Sequence, residues 1–172
     1  MLIWDASAYV APPALAQIAG ACSARAPFLG IALSHPHFYT ASATLLGALL
    51  ELLPPGHAAP GACVFASARD REWWTRADDG GDACVGWVQE DVRALAPGLT
   101  FVRCGGHFPG SSALHWDRSI GVGAGAGDEG PGSGVLLCSD TVMIAPDRRT
   151  VSFMWSVPNL VRRACVRRPS RV

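Results

Sequence analysis

Two histidines separated by one residue, His35 and His37, directly follow the apolar residues 31–33. In an extended segment, residues i and i+2 point to the same side, so both imidazole rings can face one point. Pro36 between them fixes its own φ and favours an extended conformation for His35, which stiffens the pair. Imidazole is a good ligand for zinc and iron. The pair alone is equally compatible with a structural role, so a metal site requires further ligands.

Two later segments repeat the arrangement of an apolar strand followed by a polar side chain. His107 follows residues 99–104, and Asp140 follows residues 135–138. Because ligand-binding groups of α/β sheets gather beyond the strand ends, these side chains could converge with the histidine pair. The two glycines before His107 allow the backbone to turn sharply there. Three imidazoles and one carboxylate would form a zinc or iron site.

Composition indicates one globular domain and gives little support to a nucleic-acid-binding, membrane or secreted protein. The 172 residues are 49% hydrophobic and 16% charged, with a formal charge of zero, so no nucleic-acid or membrane partner is expected. No apolar run is long enough for a membrane helix, and no secretory signal is visible. The six cysteines form no Cys-x-x-Cys pair. We therefore expect a reducing compartment, the cytoplasm.

The first half of the chain alternates between strand and helix patterns, which favours an α/β layer. Strands are expected at residues 1–5, 31–33 and 62–66. A helix with proline in its first turn is expected over residues 14–24, and a short helical turn over residues 70–75. A second helix should begin with Thr40 or Ser42 as its cap and end near Leu53, before two prolines.

The second half is expected to form short antiparallel strands. They are placed at residues 86–92, 99–104, 112–116 and 135–138, and residues 151–155 could form another strand or the start of a helix. Residues 120–134 carry many glycines and are predicted to be a surface insertion. Residues 162–172 hold five arginines and no acid, and we expect a solvated, disordered tail.

The order of the polar motifs resembles that of the metallo-β-lactamase-fold hydrolases. In that family a His-x-His-x-Asp-His motif is followed by a Gly-His-(Thr/Phe)-Pro-Gly-Ser turn and then by a Gly-Asp-Thr turn. The corresponding segments here are His35-Pro36-His37, Gly106-His107-Phe108-Pro109-Gly110-Ser111 and Ser139-Asp140-Thr141. Residues 1–5 and 146–160 also resemble family segments, so that the resemblance covers about residues 1–161.

The resemblance implies an α/β (α+β) fold, a four-layer αββα sandwich over residues 1–161 followed by the arginine-rich tail at 162–172. Family segments on both sides lack counterparts, so we expect the sandwich to be incomplete at both termini. Tyr39 and Thr40 stand where the family has the Asp and His of a second metal position, and no histidine follows His115. One metal ion is therefore expected rather than two.

The resemblance also implies a function, that of a zinc-dependent hydrolase. His35, His37 and His107 would hold the ion, and Asp140 would be a fourth ligand or bridge to a weak second metal; iron and manganese are the alternatives to zinc. A zinc-activated water would attack an ester, thioester, lactone or related bond of a small-molecule substrate. Tyr39 would donate a hydrogen bond to the developing oxyanion, and His115 would transfer protons or support a ligand.

Several other interpretations stay open. Tyr39 and His115 could be packing residues, and Asp140 could cap its turn. The whole chain could be a catalytically degenerate, non-enzymatic member or a fragment of the same fold, or a diiron redox protein. A nucleic-acid role has only the arginine tail in its favour. An incomplete sandwich would expose a sheet face, which favours association into homo-oligomers.

Overall fold

The computed structural model describes residues 1–6, 11–75, 82–120 and 134–153. The first part of the chain forms a parallel sheet of four strands in the order β1-β2-β3-β4. The strands are β1 (Leu2–Trp4), β2 (Phe28–Ala32), β3 (Ala58–Ser67) and β4 (Val85–Val88). The connecting helices are α1 (Pro12–Gly20), α2 (Tyr39–Leu52) and a 3-10 segment (Ala68–Trp73). The expected alternation of strand and helix is confirmed.

Both faces of the parallel sheet are covered, which explains its nearly continuous apolar strands. Ile31 and Val64 belong to the core between the sheet and the helices. Their neighbours in sequence, Ala32 and Phe65, point to the opposite face and belong to a second core. This alternation follows from the two-residue period of a strand, and it requires apolar side chains at successive positions.

Proline marks the start of α1 and the end of α2. Pro12 and Pro13 occupy the first turn of α1, where a missing N–H costs nothing. The expected cap of α2 by Thr40 or Ser42 is wrong. The helix already begins at Tyr39, and the Ser42 hydroxyl donates to the Tyr39 carbonyl at 2.8 Å from inside the first turn. Leu53 is extended, as expected for a residue before proline.

The second part of the chain forms an antiparallel sheet in the order β5-β6-β7-β8. Its strands are β5 (Val92–Ala96), β6 (Leu99–Arg103), β7 (Ser112–Trp116) and β8 (Val135–Leu137), and β9 (Met143–Ile144) pairs with β10 (Val151–Ser152) as a hairpin. The single strand expected over residues 86–92 is wrong. β4 ends the parallel sheet and β5 begins the second, with the polar residues Glu90 and Asp91 between them.

The two sheets pack face to face. Phe101 of β6 joins Ala32 and Val88 in the second core, and its ring meets Trp4 edge-on at 6.4 Å between centroids. Within the described ranges the layers are therefore helices, parallel sheet and antiparallel sheet. The mixed α/β class with few helices is confirmed, whereas no fourth, helical layer occurs in these ranges.

Some expectations fall on residues that the structure does not describe. Most of the glycine-rich segment, at residues 121–133, lies outside the described ranges. So do residues 154–161 and the arginine tail at 162–172. Among the described helices, none is both long enough and apolar enough to cross a membrane.

Candidate metal centre

Four side chains from three separate loops meet at one edge of the two sheets. His35 and His37 follow β2, His107 follows β6, and Asp140 follows β8. One ligand atom from each lies within 4.8 Å of all the others. The structure thus brings together the four side chains that the sequence predicts as metal ligands. That they bind a metal stays a prediction.

The distances between the donor atoms are those of a compact site. His35 Nε2 lies 3.0 Å from His37 Nδ1, which lies 3.5 Å from His107 Nε2. Asp140 Oδ2 lies 3.4 Å from His35 Nε2 and 3.8 Å from His37 Nδ1. A tetrahedral zinc site with bonds of about 2.0 Å places its ligand atoms about 3.3 Å apart. The four distances above, from 3.0 to 3.8 Å, lie around this value, and the donor types are those that zinc takes.

His35 is the buried member of the cluster, with 2% of its surface exposed. Burial is the main reason why the pKa of its imidazole is lowered to about 4, although Asp140 opposes this change. At neutral pH the ring is therefore uncharged, which is the form that binds a metal. The His37 side chain, by contrast, is more than half exposed. The cluster thus has a buried inner side and an open outer side.

A polar network extends from His35 to the end of β1. The Ser34 hydroxyl lies 2.7 Å from His35 Nδ1 and donates to Asp5 Oδ2 at 3.0 Å. The Ser34 N–H donates to Asp5 Oδ1 at 2.7 Å. The Ser34 carbonyl accepts the N–H of Ser112 at 2.8 Å and so connects the two sheets. The sequence indicated that β1 ends in an acid, but not what that acid binds.

The His107 loop depends on two glycines and on a buried acid. Gly105 and Gly106 both have positive φ, at 66° and 101°, a conformation that side chains disfavour. At the other end of the loop, the Gly110 N–H donates to Asp70 Oδ1 at 2.7 Å. Asp70 is fully buried. Sequence reasoning missed it, since it lies 40 residues away in a segment that indicated only a helical turn.

Asp140 lies in a 3-10 turn (Ser139–Thr141) after β8. Ser139 before it has a φ of 48°, and its side chain lowers the pKa of the Asp5 carboxyl. The Asp140 carboxylate faces His35 and His37 rather than only its own turn.

The two further catalytic candidates lie outside the four-residue cluster. Tyr39 is buried in an aromatic group with Trp74 and Trp87, at centroid distances of 5.2 and 6.3 Å. Burial also raises the pKa of its hydroxyl well above the usual range. His115 lies within β7 and pairs with Thr100 of β6. Their catalytic roles stay predictions.

Aromatic side chains form one wall of the site. The Phe108 ring stacks on His35 at 5.7 Å and meets His37 and His107 edge-on at 5.2 and 4.5 Å. Trp73 in turn meets Phe108 edge-on at 5.4 Å, and 51% of Trp73 is exposed. The Trp73 ring therefore extends the apolar wall from the cluster to the surface.

Comparisons with known proteins leave the family open. No family model matches the chain. An uncharacterised protein of Bacillus subtilis, YmaE, is 33% identical over 160 residues, which are 93% of this chain and 48% of that protein. The chain therefore spans about half the length of the curated relative that it matches.

Solved structures show only a distant likeness. One is an N-acyl homoserine lactone hydrolase with the product N-hexanoyl-L-homoserine bound at its catalytic metal centre. Another is a quorum-quenching N-acyl homoserine lactone lactonase. Each is 20% identical with a TM-score of 0.33, over 52% of this chain and 33% or 34% of the other. These scores are too low to establish a common fold.

Proposed function

We propose that the chain is a metal-dependent hydrolase of the metallo-β-lactamase type. In this proposal His35, His37, His107 and Asp140 hold one ion, with zinc as the expected metal. The observation that carries it is the convergence of three imidazoles and one carboxylate at spacings suited to a single ion. When bound, such an ion would supply a nucleophile at neutral pH and polarise a carbonyl oxygen.

The surroundings of the cluster support a small, partly apolar substrate. The exposed side of His37 gives access from solvent. Phe108 and Trp73 would bind an apolar substituent and exclude water from one side of the reacting group. An ester, thioester or lactone with an apolar acyl group fits these features.

A degenerate, non-enzymatic protein is the second candidate, and one observation favours it. The positions that would hold a second ion carry Tyr39 and Thr40, and Tyr39 is buried among tryptophans. The one group of potential metal ligands in the described ranges suits a single ion. Such a protein would bind metal weakly and show no chelator-sensitive activity.

Elemental analysis of the purified, unsupplemented protein separates the two candidates. We expect about one zinc per chain in the wild type and a large loss in His107→Ala. The matched control is His57→Ala, which removes a histidine from the loop before β3, outside the cluster. Metal far below one per chain in all three proteins would refute the hydrolase. With metal present, ester, thioester and lactone hydrolysis should be abolished by a chelator and restored by zinc.

A further inference from the structure

The Asp5 side chain lies beside residues that precede two members of the ligand cluster, His35 and Asp140. It ends β1 and accepts two hydrogen bonds from Ser34, the residue before His35. The side chain of Ser139, the residue before Asp140, also acts on the Asp5 carboxyl, whose pKa it lowers. We propose that Asp5 is a positioning residue that fixes the tautomer of His35 and the place of Asp140. This inference rests on the metal site proposed above.

The hydrogen-bond donors and acceptors around Ser34 determine the tautomer of His35. The Ser34 hydroxyl has one hydrogen, and it donates that hydrogen to Asp5 Oδ2. The 2.7 Å contact between the same oxygen and His35 Nδ1 then requires the ring nitrogen to be the donor. His35 is therefore protonated on Nδ1. Its Nε2, the atom that faces the other ligands, carries a free lone pair for a metal.

A second carboxylate favours the opposite tautomer. Asp140 Oδ2 lies 3.4 Å from His35 Nε2, where it would accept a proton from that nitrogen. A proton on Nε2 would block metal binding. The shorter contacts of Ser34, at 2.7 and 3.0 Å, favour the proton on Nδ1. Asp140 thus favours the His35 ring proton on Nε2, whereas Asp5, acting through Ser34, favours it on Nδ1. The shorter contacts place the proton on Nδ1.

Asp5 also acts on Ser139, which follows strand β8 of the antiparallel sheet. Ser139 has a φ of 48°, a conformation that is strained for a serine and must be held by its surroundings. In this proposal the Asp5 carboxyl, whose pKa the Ser139 side chain lowers, holds Ser139 and thereby directs Asp140 towards the histidines. One side chain in the parallel sheet therefore aligns ligands that come from both sheets.

The variant Asp5→Asn tests the proposal because it reverses one hydrogen bond with little change in shape. The introduced amide can accept the Ser34 N–H as before, but its nitrogen donates to the Ser34 hydroxyl. That hydroxyl then donates to His35 Nδ1, which moves the ring proton to Nε2. The matched control is Asp117→Asn, because Asp117 also accepts from the N–H and hydroxyl of one serine but lies on the surface.

The direct measurement is the ¹⁵N spectrum of histidine side chains in the metal-free protein, with the His35 signal identified by its absence in His35→Gln. We expect His35 to be protonated on Nδ1 in the wild type and in the control, and on Nε2 in Asp5→Asn. Zinc affinity, measured by competition with a chromophoric chelator, should fall about 10- to 100-fold in Asp5→Asn and stay constant in the control.

Two results would overturn the proposal. One is a proton on Nε2 of His35 in the wild type. The other is an Asp5→Asn variant with unchanged tautomer and zinc affinity. If that variant does not fold, Ser34→Ala takes its place, and unchanged affinity there refutes the inference equally. A wild type with Nδ1–H but without zinc would refute the proposed function and leave the tautomer assignment intact.

Discussion

Replacing the buried Asp70 by asparagine should change how stability depends on pH. Asp70 Oδ1 accepts the Gly110 N–H, whereas its Oδ2 has no hydrogen-bond partner among the described residues. Burial is the main reason why the pKa of this carboxyl is raised to about 6, with a smaller contribution from Glu72. Asp70→Asn keeps the acceptor for Gly110 and removes the charge.

The sign and size of the change in the free energy of unfolding with pH follow from proton linkage. Because the folded protein holds the Asp70 proton more tightly than the unfolded chain does, it binds more protons between pH 3.8 and about 6. The free energy of unfolding therefore falls as the pH rises through this window and then stays level. The difference between the two pKa values corresponds to at most about 3 kcal/mol, at about 1.4 kcal/mol per pH unit.

Urea unfolding of the wild type and of Asp70→Asn, between about pH 4 and pH 8, measures this effect. We expect the variant to gain up to about 3 kcal/mol relative to the wild type across the window. A pH-independent cost of about 1–3 kcal/mol for the buried amide would shift the curve without changing its shape. Asp117→Asn is the control: because hydrogen bonds from Ser119 lower the pKa of that carboxyl below 3.8, its effect on stability falls below pH 3.8, and its curve should stay parallel to that of the wild type between pH 4 and pH 8. Parallel curves for the wild type and Asp70→Asn would refute the reasoning.

Two further predictions concern the His107 loop and the aromatic wall. A Cβ on Gly110 would lie 2.6 Å from Ser67 Oγ, so Gly110→Ala should lower the free energy of unfolding by more than about 2 kcal/mol. Gly47→Ala, in open space on α2, should instead raise it by about 0.5–1 kcal/mol in the same urea assay. Trp73→Ala should raise KM about three- to tenfold for esters with long apolar acyl groups but not for acetate esters, and leave kcat nearly constant. Trp116→Ala is the control, and an equal rise in KM for both esters would contradict the assignment.

Strands and helices were predictable where the local sequence decides them. Apolar runs located β2, β3, β6, β7 and β8, and prolines located both helices to within a few residues. The errors lie where tertiary contacts decide. The start of α2 at Tyr39 depends on the aromatic group with Trp74 and Trp87 rather than on a polar cap. The division between β4 and β5 depends on which sheet each strand joins.

The four ligand candidates were predictable because each follows its own strand within one or a few residues. Their order in the sequence was therefore enough to group them. The residues that support them were not predictable in the same way. Asp70 reaches Gly110 over 40 residues, and Asp5 reaches Ser34 over 29. No local pattern distinguishes such an acid from a solvated one, because its role depends on which strand ends are neighbours.

The parallel order of β1 and β2 accounts for the relation between Asp5 and His35. Trp4 pairs with Ala32, so the chain leaves both strands at the same edge, and the Asp5 N–H still donates to the Ala32 carbonyl. Asp5 then has a φ of 54°, which the hydrogen bonds around it must stabilise. Because the two strands end side by side, an acid directly after β1 can bond to Ser34, the residue before His35, with no further turn of the chain. The first strand therefore not only begins the sheet but also brings Asp5 to the residue before His35.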